Sequence, residues 1–238
     1  MKVDILAIGV HPDDIELSCG GTLLRHIDMG KKVGLLDLTK GELGTRGSAS
    51  IRMKEAEEAS KLMGAIVRGN LGMEDGFFEY NQTNLLKIIQ VIRLMRPEIV
   101  LMNAITDRHP DHGRAAKLSA DACYYAGLEK IKTEWEGISQ EKWRPKAAYH
   151  YTQDRYIKPD FVVDISTYID RKIDIIMCYK SQFYDPNSEE PNTPISGKHF
   201  IESIKSKSIT FGRPASLDYA EAFTVNRTIG VNNLFDLV

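Results

Sequence analysis

The first half of the chain alternates short, nearly unbroken apolar runs with longer segments whose apolar residues recur every three or four positions, the pattern of βαβ units. Residues 3–10 read as a strand, followed by a helix over about residues 14–29 that Gly30 stops. Residues 33–38 form a second strand. A loop rich in Gly and Thr over residues 39–47 follows, and then a helix capped by Ser48 or Ser50 that runs to about Met63. A third strand over residues 65–68 leads into a loop over residues 70–76, and residues 84–94 form a helix that ends ahead of Pro97. A strand over residues 98–102 precedes a helix from near Asp111 to about Ala126.

The second half is less regular. Residues 147–152 and 161–165 read as strands around a turn at Pro159-Asp160, and a helix runs from Tyr168 to about Lys180. Residues 184–198 carry Pro, Asn, Ser and Glu without a period and are expected to form a mobile loop or a lid. Residues 222–225 close the chain's strands. With no internal repeat and no composition break, residues 1–238 are expected to form a single domain. Uniformly apolar strands predict a mostly parallel sheet covered by helices on both faces, an α/β fold with its ligand site at the carboxyl ends of the strands.

Composition narrows the partners. The 238 residues are 42% hydrophobic and 27% charged with a net charge of −2, so nothing electrostatic points to nucleic acid or an anionic membrane. Small anions remain within reach of local arginines. No run of about 18 apolar residues predicts a membrane span, and the acidic residues after the first strand leave no room for a secretory leader. Cys19, Cys123 and Cys178 show no Cys-x-x-Cys pairing, which argues against a disulfide framework and for a reducing, cytoplasmic setting. Cys19 is expected to be a small buried hydrophobe on the first helix rather than a functional thiol.

The chemistry lies in two tetrapeptides, His11-Pro12-Asp13-Asp14 and His109-Pro110-Asp111-His112, each just beyond a predicted strand. Hydrolytic zinc is commonly held by three nitrogen and oxygen ligands with a water in the fourth position. His11, Asp14 and His112 supply such a set. Two histidines and a carboxylate also suit Fe2+ or another divalent metal, so Zn2+ is the first expectation and not the sole one. Neighbouring helical residues project about 100° apart, which leaves Asp13 beside the metal as a carboxylate able to take a proton from water. His109 could then stabilise an oxyanion or protonate a leaving amine, with Asp111 fixing its orientation. The bland alternative makes Asp13 or Asp111 a helix cap and the chain a non-catalytic α/β binding module.

Arg52, Arg108, Glu42 and Asp75 lie in or beside strand-end loops. They suit substrate contacts as well as ordinary surface ion pairs. The Gly41-x-x-Gly44-x-x-Gly47 spacing is not a dinucleotide fingerprint, which would directly follow the first strand.

Taken in order, His11-Pro-Asp-Asp14 with Glu16 and Gly20-Gly21-Thr22, Lys40-Gly-Glu42, Arg52-x-x-Glu55, Leu71-Gly-x-x-Asp75-Gly76, His109-Pro-Asp-His112 and Tyr219-Ala-Glu221-Ala-Phe223 resemble the zinc-dependent LmbE-like, or GlcNAc-phosphatidylinositol de-N-acetylase, superfamily. The resemblance implies a three-layer αβα Rossmann-like fold and a hydrolase that removes acetate from an N-acetyl sugar. It implies zinc on His11, Asp14 and His112, Asp13 as general base, and His109 paired with Asp111 at the tetrahedral intermediate. The runs 39–47 and 70–78 resemble the bacillithiol-pathway branch, which deacetylates N-acetylglucosaminyl-malate. On that resemblance Arg52 and Arg108 would meet the malate carboxylates, and Glu42 and Asp75 the sugar. Another N-acetyl sugar or a thiol-conjugate amide is the alternative substrate. Family members form homo-oligomers, often hexamers. Tyr149, His150 and Tyr151 are suggestive of pocket lining.

Overall fold

A computed structural model of the chain describes residues 2–236. Its centre is a seven-stranded sheet in the order β3-β2-β1-β4-β7-β9-β8. Strands β1 (Ile5–Gly9), β2 (Val33–Thr39), β3 (Val67–Met73), β4 (Ile99–Met102) and β7 (Ala147–Tyr151) run parallel. Strand β9 (Ala220–Thr224) is antiparallel to both β7 and β8 (Phe161–Asp164).

The apolar runs are buried on both faces, as their lack of alternation requires. Along β1, Ile5 and Ala7 join one core cluster, while Leu6 and Ile8 join the other. Helices α3 (Gln82–Met95) and α4 (Pro110–Tyr125) cover the Leu6 side through Ile88, Ile92, Ala115 and Leu118. Helix α1 (Asp14–Asp28) covers the other side through Ile15, Cys19 and Leu23, joined there by Ile175 of α5 (Ile169–Ile176). Helix α2 (Ala49–Met63) packs with α5 over Ala56, Ala59 and Ile176. The expected three-layer αβα arrangement is therefore the observed one. Cys19 is fully buried in it, and burial pushes its thiol well above the ordinary range, as suits a core residue.

The chain winds outward from β1 to β3 and then returns to place β4 on the other side of β1. That reversal between β1 and β4 is where an open α/β sheet leaves a crevice at its carboxyl edge. The two tetrapeptides leave the sheet at these two strands.

Four local readings need correction. Strand β3 extends through Met73, because Asn70 and Met73 pair with Asp37 and Thr39 across a register shift; the Asn and Gly that suggested a loop are tolerated on an edge strand. Helix α5 stops at Ile176 rather than near Lys180. A two-stranded hairpin, β5 (Glu134–Trp135) with β6 (Ile138–Ser139), was not anticipated. Neither was helix α6 (Phe200–Gly212), whose serines and threonine depress helix propensity. Their hydroxyls instead bond back to the preceding turn, as Ser206 does to Glu202 O and Ser208 to Ile204 O.

Residues 184–198 carry no helix or strand, as expected, but the segment is tied down: Glu190 accepts from the Gly47 amide and Ser188 from Arg46. No helix among the described residues is long and apolar enough to cross a membrane.

Two buried ionic groups support the layers. Arg68 reaches from β3 to Asp37 with a bidentate pair of bonds, each 2.8 Å, and also bonds Glu16, which accepts from the Tyr179 hydroxyl. Helix α1 is broken at Cys19, where φ is −136°, so the helical turn after the break has free amides. Glu221 of β9 accepts from two of them, Gly21 N at 2.9 Å and Thr22 N at 2.7 Å, and from Lys172 Nζ at 2.6 Å. The Gly20-Gly21-Thr22 and Tyr219-Ala-Glu221 motifs are thus two halves of one structural clasp.

Candidate metal centre

Asp14 opens α1 and lies at the middle of the site. Its Oδ2 accepts from the Val10 and His11 amides and from Asn103 Nδ2, each at 3.0 Å, and its Oδ1 accepts from Gln153 Nε2 at 3.0 Å. Burial would raise this carboxyl, but the neighbouring histidines and these donors hold it far below the usual carboxylate range.

Each flanking imidazole turns one nitrogen toward Asp14 and the other toward an outer carboxylate. His112 Nε2 lies 3.2 Å from Asp14 Oδ1, while its Nδ1 is 2.6 Å from Asp107 Oδ2. His11 Nδ1 lies 3.8 Å from Asp14 Oδ2, while its Nε2 is 3.0 Å from Asp75 Oδ1. An ionised carboxylate can only accept, so Asp107 and Asp75 keep protons on the outer nitrogens, and the inner nitrogens facing Asp14 are the ones a bound cation would take over in place of their protons. Ligand atoms around a tetrahedral zinc stand about 3.4 Å apart, and the two histidine-to-Asp14 spacings, one to each carboxylate oxygen, lie on either side of that value. Histidines backed by carboxylates are the usual outer arrangement of a metal site.

The charge balance points the same way. Burial alone would lower the two imidazoles, but the carboxylates around them outweigh it and lift His11 to about 9 and His112 to about 10. A pocket that draws protons onto two histidines suits a divalent cation, which replaces those protons on binding. The residues present therefore fit a metal ion.

Ligand-type atoms also converge in two other ways: His11 with His109 and His112, and His11 with Asp75 and Asp111, each set lying within 4.8 Å. In the second set Asp75 and Asp111, which also accept from the Leu43 and Gly76 amides, both meet His11 at Nε2, the outer nitrogen that faces away from Asp14. In the first, His109 Nδ1 accepts from the Asp111 amide at 3.3 Å as the cap of α4. That leaves Nε2–H of His109 as a donor beside the cavity. Burial and the charges of His11 and His112 lower its pKa, which favours this neutral form.

Asp13 sits at φ 115°, a strained position for a residue with a side chain and one tolerated best by Asn and Asp. Its carboxylate accepts from Arg52 Nη2 at 3.1 Å, and burial pushes it up to about 7 against the pull of Arg52. Arg52 also donates to Pro12 O and Gly41 O. Gly41 has φ +64°, and a Cβ there would collide with the Arg52 guanidinium.

The other predicted site residues divide. Asp75, Arg52 and Arg108 line a cavity of about 630 Å³ together with His11, Asp13, Asp14, His109 and His112. Arg108 is exposed and pairs with Asp154 at 2.7 Å. Glu42 is exposed and shapes the loop by accepting from the Asp75 amide at 3.0 Å. The side-chain pairing of Asp111 with His109 does not form. Two residues apart at a helix start, they project to different sides, and Asp111 faces the Gly76 amide and Arg114 instead. Tyr149, His150 and Tyr151 do not line the cavity: the Tyr151 hydroxyl bonds Ile8 O, His150 bonds Asn103 O, and Tyr149 packs on Phe161.

Sequence reasoning missed Asp107, Asn103 and Gln153. Their available signal was position alone, just beyond β4 and β7.

Comparison with known proteins agrees with this geometry. Residues 6–123 match the family model described as PIG-L, GlcNAc-PI de-N-acetylase. The diacetylchitobiose deacetylase of Thermococcus kodakarensis is 30% identical over 191 residues, covering 75% of this chain and 70% of that protein. A Bacillus anthracis protein named "Probable N-acetyl-alpha-D-glucosaminyl L-malate deacetylase 2" is 24% identical, covering 75% of this chain and 81% of its own length. The crystal structure of the conserved protein TT1542 from Thermus thermophilus superposes with a TM-score of 0.84 at 35% identity, covering 97% of this chain and 98% of that one. With this ligand geometry at the carboxyl edge of the sheet, the chain belongs to the PIG-L, or LmbE-like, family of metal-dependent deacetylases.

Proposed function

We propose that the chain hydrolyses the acetamide of a small N-acetylglucosaminide, with zinc held by His11, Asp14 and His112 and with residues 1–238 acting as one catalytic domain. The observation that carries this reading is the placement of Asp14 between two imidazoles, each backed by its own carboxylate, in the lining of the cavity. Zinc bound there supplies Lewis acidity to water and to the acetamide carbonyl.

The chain's own residues do the rest. Asp13, held by Arg52, accepts a proton from the attacking water and faces the cavity from the ligand side. His109 presents Nε2–H toward the same space and, in its neutral form, stabilises charge on the carbonyl oxygen, while the proton that Asp13 has taken from water passes to the departing amine. Asp107 and Asp75 keep His112 and His11 in the required tautomers, and Asp111 supports His11 from 3.6 Å. Glu42 serves the sugar side through the loop that it shapes.

For the group attached to the sugar, N-acetylglucosaminyl-malate is the first proposal, supported by the Bacillus anthracis relative and by Arg108 at the cavity wall. A β-linked N-acetylglucosamine disaccharide is the second, supported by the Thermococcus relative. The test is acetate release by the zinc-loaded chain from N-acetylglucosaminyl-malate and from diacetylchitobiose. Stripping the metal with a chelator is expected to abolish release and zinc to restore it, with Fe2+ reconstitution run in parallel. Release that survives complete metal removal would refute the mechanism.

A further inference from the structure

Three cationic side chains other than histidine line the cavity: Arg52, Arg108 and Lys207. The first is held by Asp13 and two carbonyls, and the second by Asp154. Lys207 differs. Among the described residues no hydrogen bond or ion pair engages its ammonium, although the residue is half-buried.

Its position is built rather than incidental. Ser203, Ile204, Thr210 and Phe211 also line the cavity, and they lie four and three residues before Lys207 and three and four after it. Lys207 therefore stands at the centre of the stripe that α6 turns toward the site. Phe211 stacks on Tyr156 at 5.7 Å, which gives the cation an apolar flank. Asp107, behind the ligand His112, and Asp154 attract Lys207 without bonding it, while Lys172 repels it. Burial, aided by Lys172, lowers its pKa to about 8, so the site leaves an ammonium short of counter-charge.

We propose that Lys207 is a specificity residue for an anionic substrate, binding a carboxylate on the group attached to the N-acetylglucosamine. This rests on the deacetylase reading and moves the recognition of negative charge from Arg52 and Arg108, which are engaged with Asp13 and Asp154, to α6. A carboxylate in the cavity supplies the acceptor that the protein does not.

The test uses the zinc-loaded full chain and a matched pair of substrates, N-acetylglucosaminyl-malate and its dimethyl ester. Wild type is expected to show the lower KM for the acid. Lys207→Met keeps the side chain's length and apolar contacts, and should raise KM for the acid on the order of tenfold while kcat and the ester's kinetics hold. Lys207→Arg should retain most of the preference. A wild type that does not prefer the acid, or a Met variant that slows both substrates alike, would overturn the proposal. Calorimetric titration with succinate reads the same cation without turnover. Binding weakened on the order of tenfold in Lys207→Met supports the assignment, and equal binding refutes it. If neither glycoside is hydrolysed, the deacetylase reading fails while the succinate comparison still decides the role of Lys207.

Discussion

Asp13→Asn is expected to lose activity by roughly a hundredfold to ten-thousandfold while keeping its metal, the range typical of a general base removed from a site otherwise intact. The substitution is conservative in every respect but one. Asn is nearly isosteric and keeps an oxygen to accept from Arg52 Nη2. It also tolerates the φ of 115° that residue 13 adopts, where most other residues would add strain. Asp13 is not placed as a ligand, so zinc content should match the wild type, while loss of the charge beside the buried Arg52 guanidinium is expected to lower Tm. The loss should appear in kcat rather than KM, because the proton transfer belongs to the chemical step. Steady-state acetate release with metal analysis on the same samples checks this. An Asn variant within about tenfold of wild type, or one that has lost zinc, would show that Asp13 is not the base.

Glu221→Ala carries the largest expected effect on stability. Glu221 and Lys172 are 3% and 2% exposed, so removing the carboxylate leaves a buried ammonium and the Gly21 and Thr22 amides without their partner. Breaking a buried pair from one side costs about 3–5 kcal/mol. For a chain of this size that lowers Tm by roughly 6–20 °C. The double variant Lys172→Met, Glu221→Leu should recover part of the loss, because it removes the stranded charge even though the two amides stay unpaired. Thermal and urea unfolding of the single and double variants measure both effects. A Glu221→Ala protein destabilised by less than about 1 kcal/mol would mean that the clasp does not hold α1 to β9.

The contrast between these two sites shows what can be read from the chain alone. His11, Asp13 and Asp14 were legible because they stand two to five residues beyond β1, at the carboxyl edge, and His109 and His112 because they repeat the His-Pro-Asp pattern at the start of α4. The β1 and β4 strands were legible as apolar runs. Asp107 and Gln153 were not, since their roles depend on which side of a loop faces His112 and Asp14, and no period encodes that. Arg52 was legible as a site residue, but its partner was not: that Asp13 and Gly41 surround its guanidinium follows from the packing of α2 against the loop after β2. Glu221 stood out within a motif, yet its purpose needs the break in α1 at Cys19. Helix α6 escaped altogether, because serine hydroxyls that bond to their own turn look like loop chemistry in a one-dimensional reading. The wall that helix builds carries Lys207, so the part of the site that selects the substrate was the part least visible in advance.

The location of the metal is the claim on which the rest depends. Anomalous diffraction at the zinc absorption edge, on crystals of the zinc-loaded protein, tests it most directly. The predicted result is a single peak within about 2.0–2.2 Å of His11 Nδ1, an Asp14 carboxylate oxygen and His112 Nε2. A peak seated instead among His11, Asp75 and Asp111, or no peak in a protein that still releases acetate, would contradict the account.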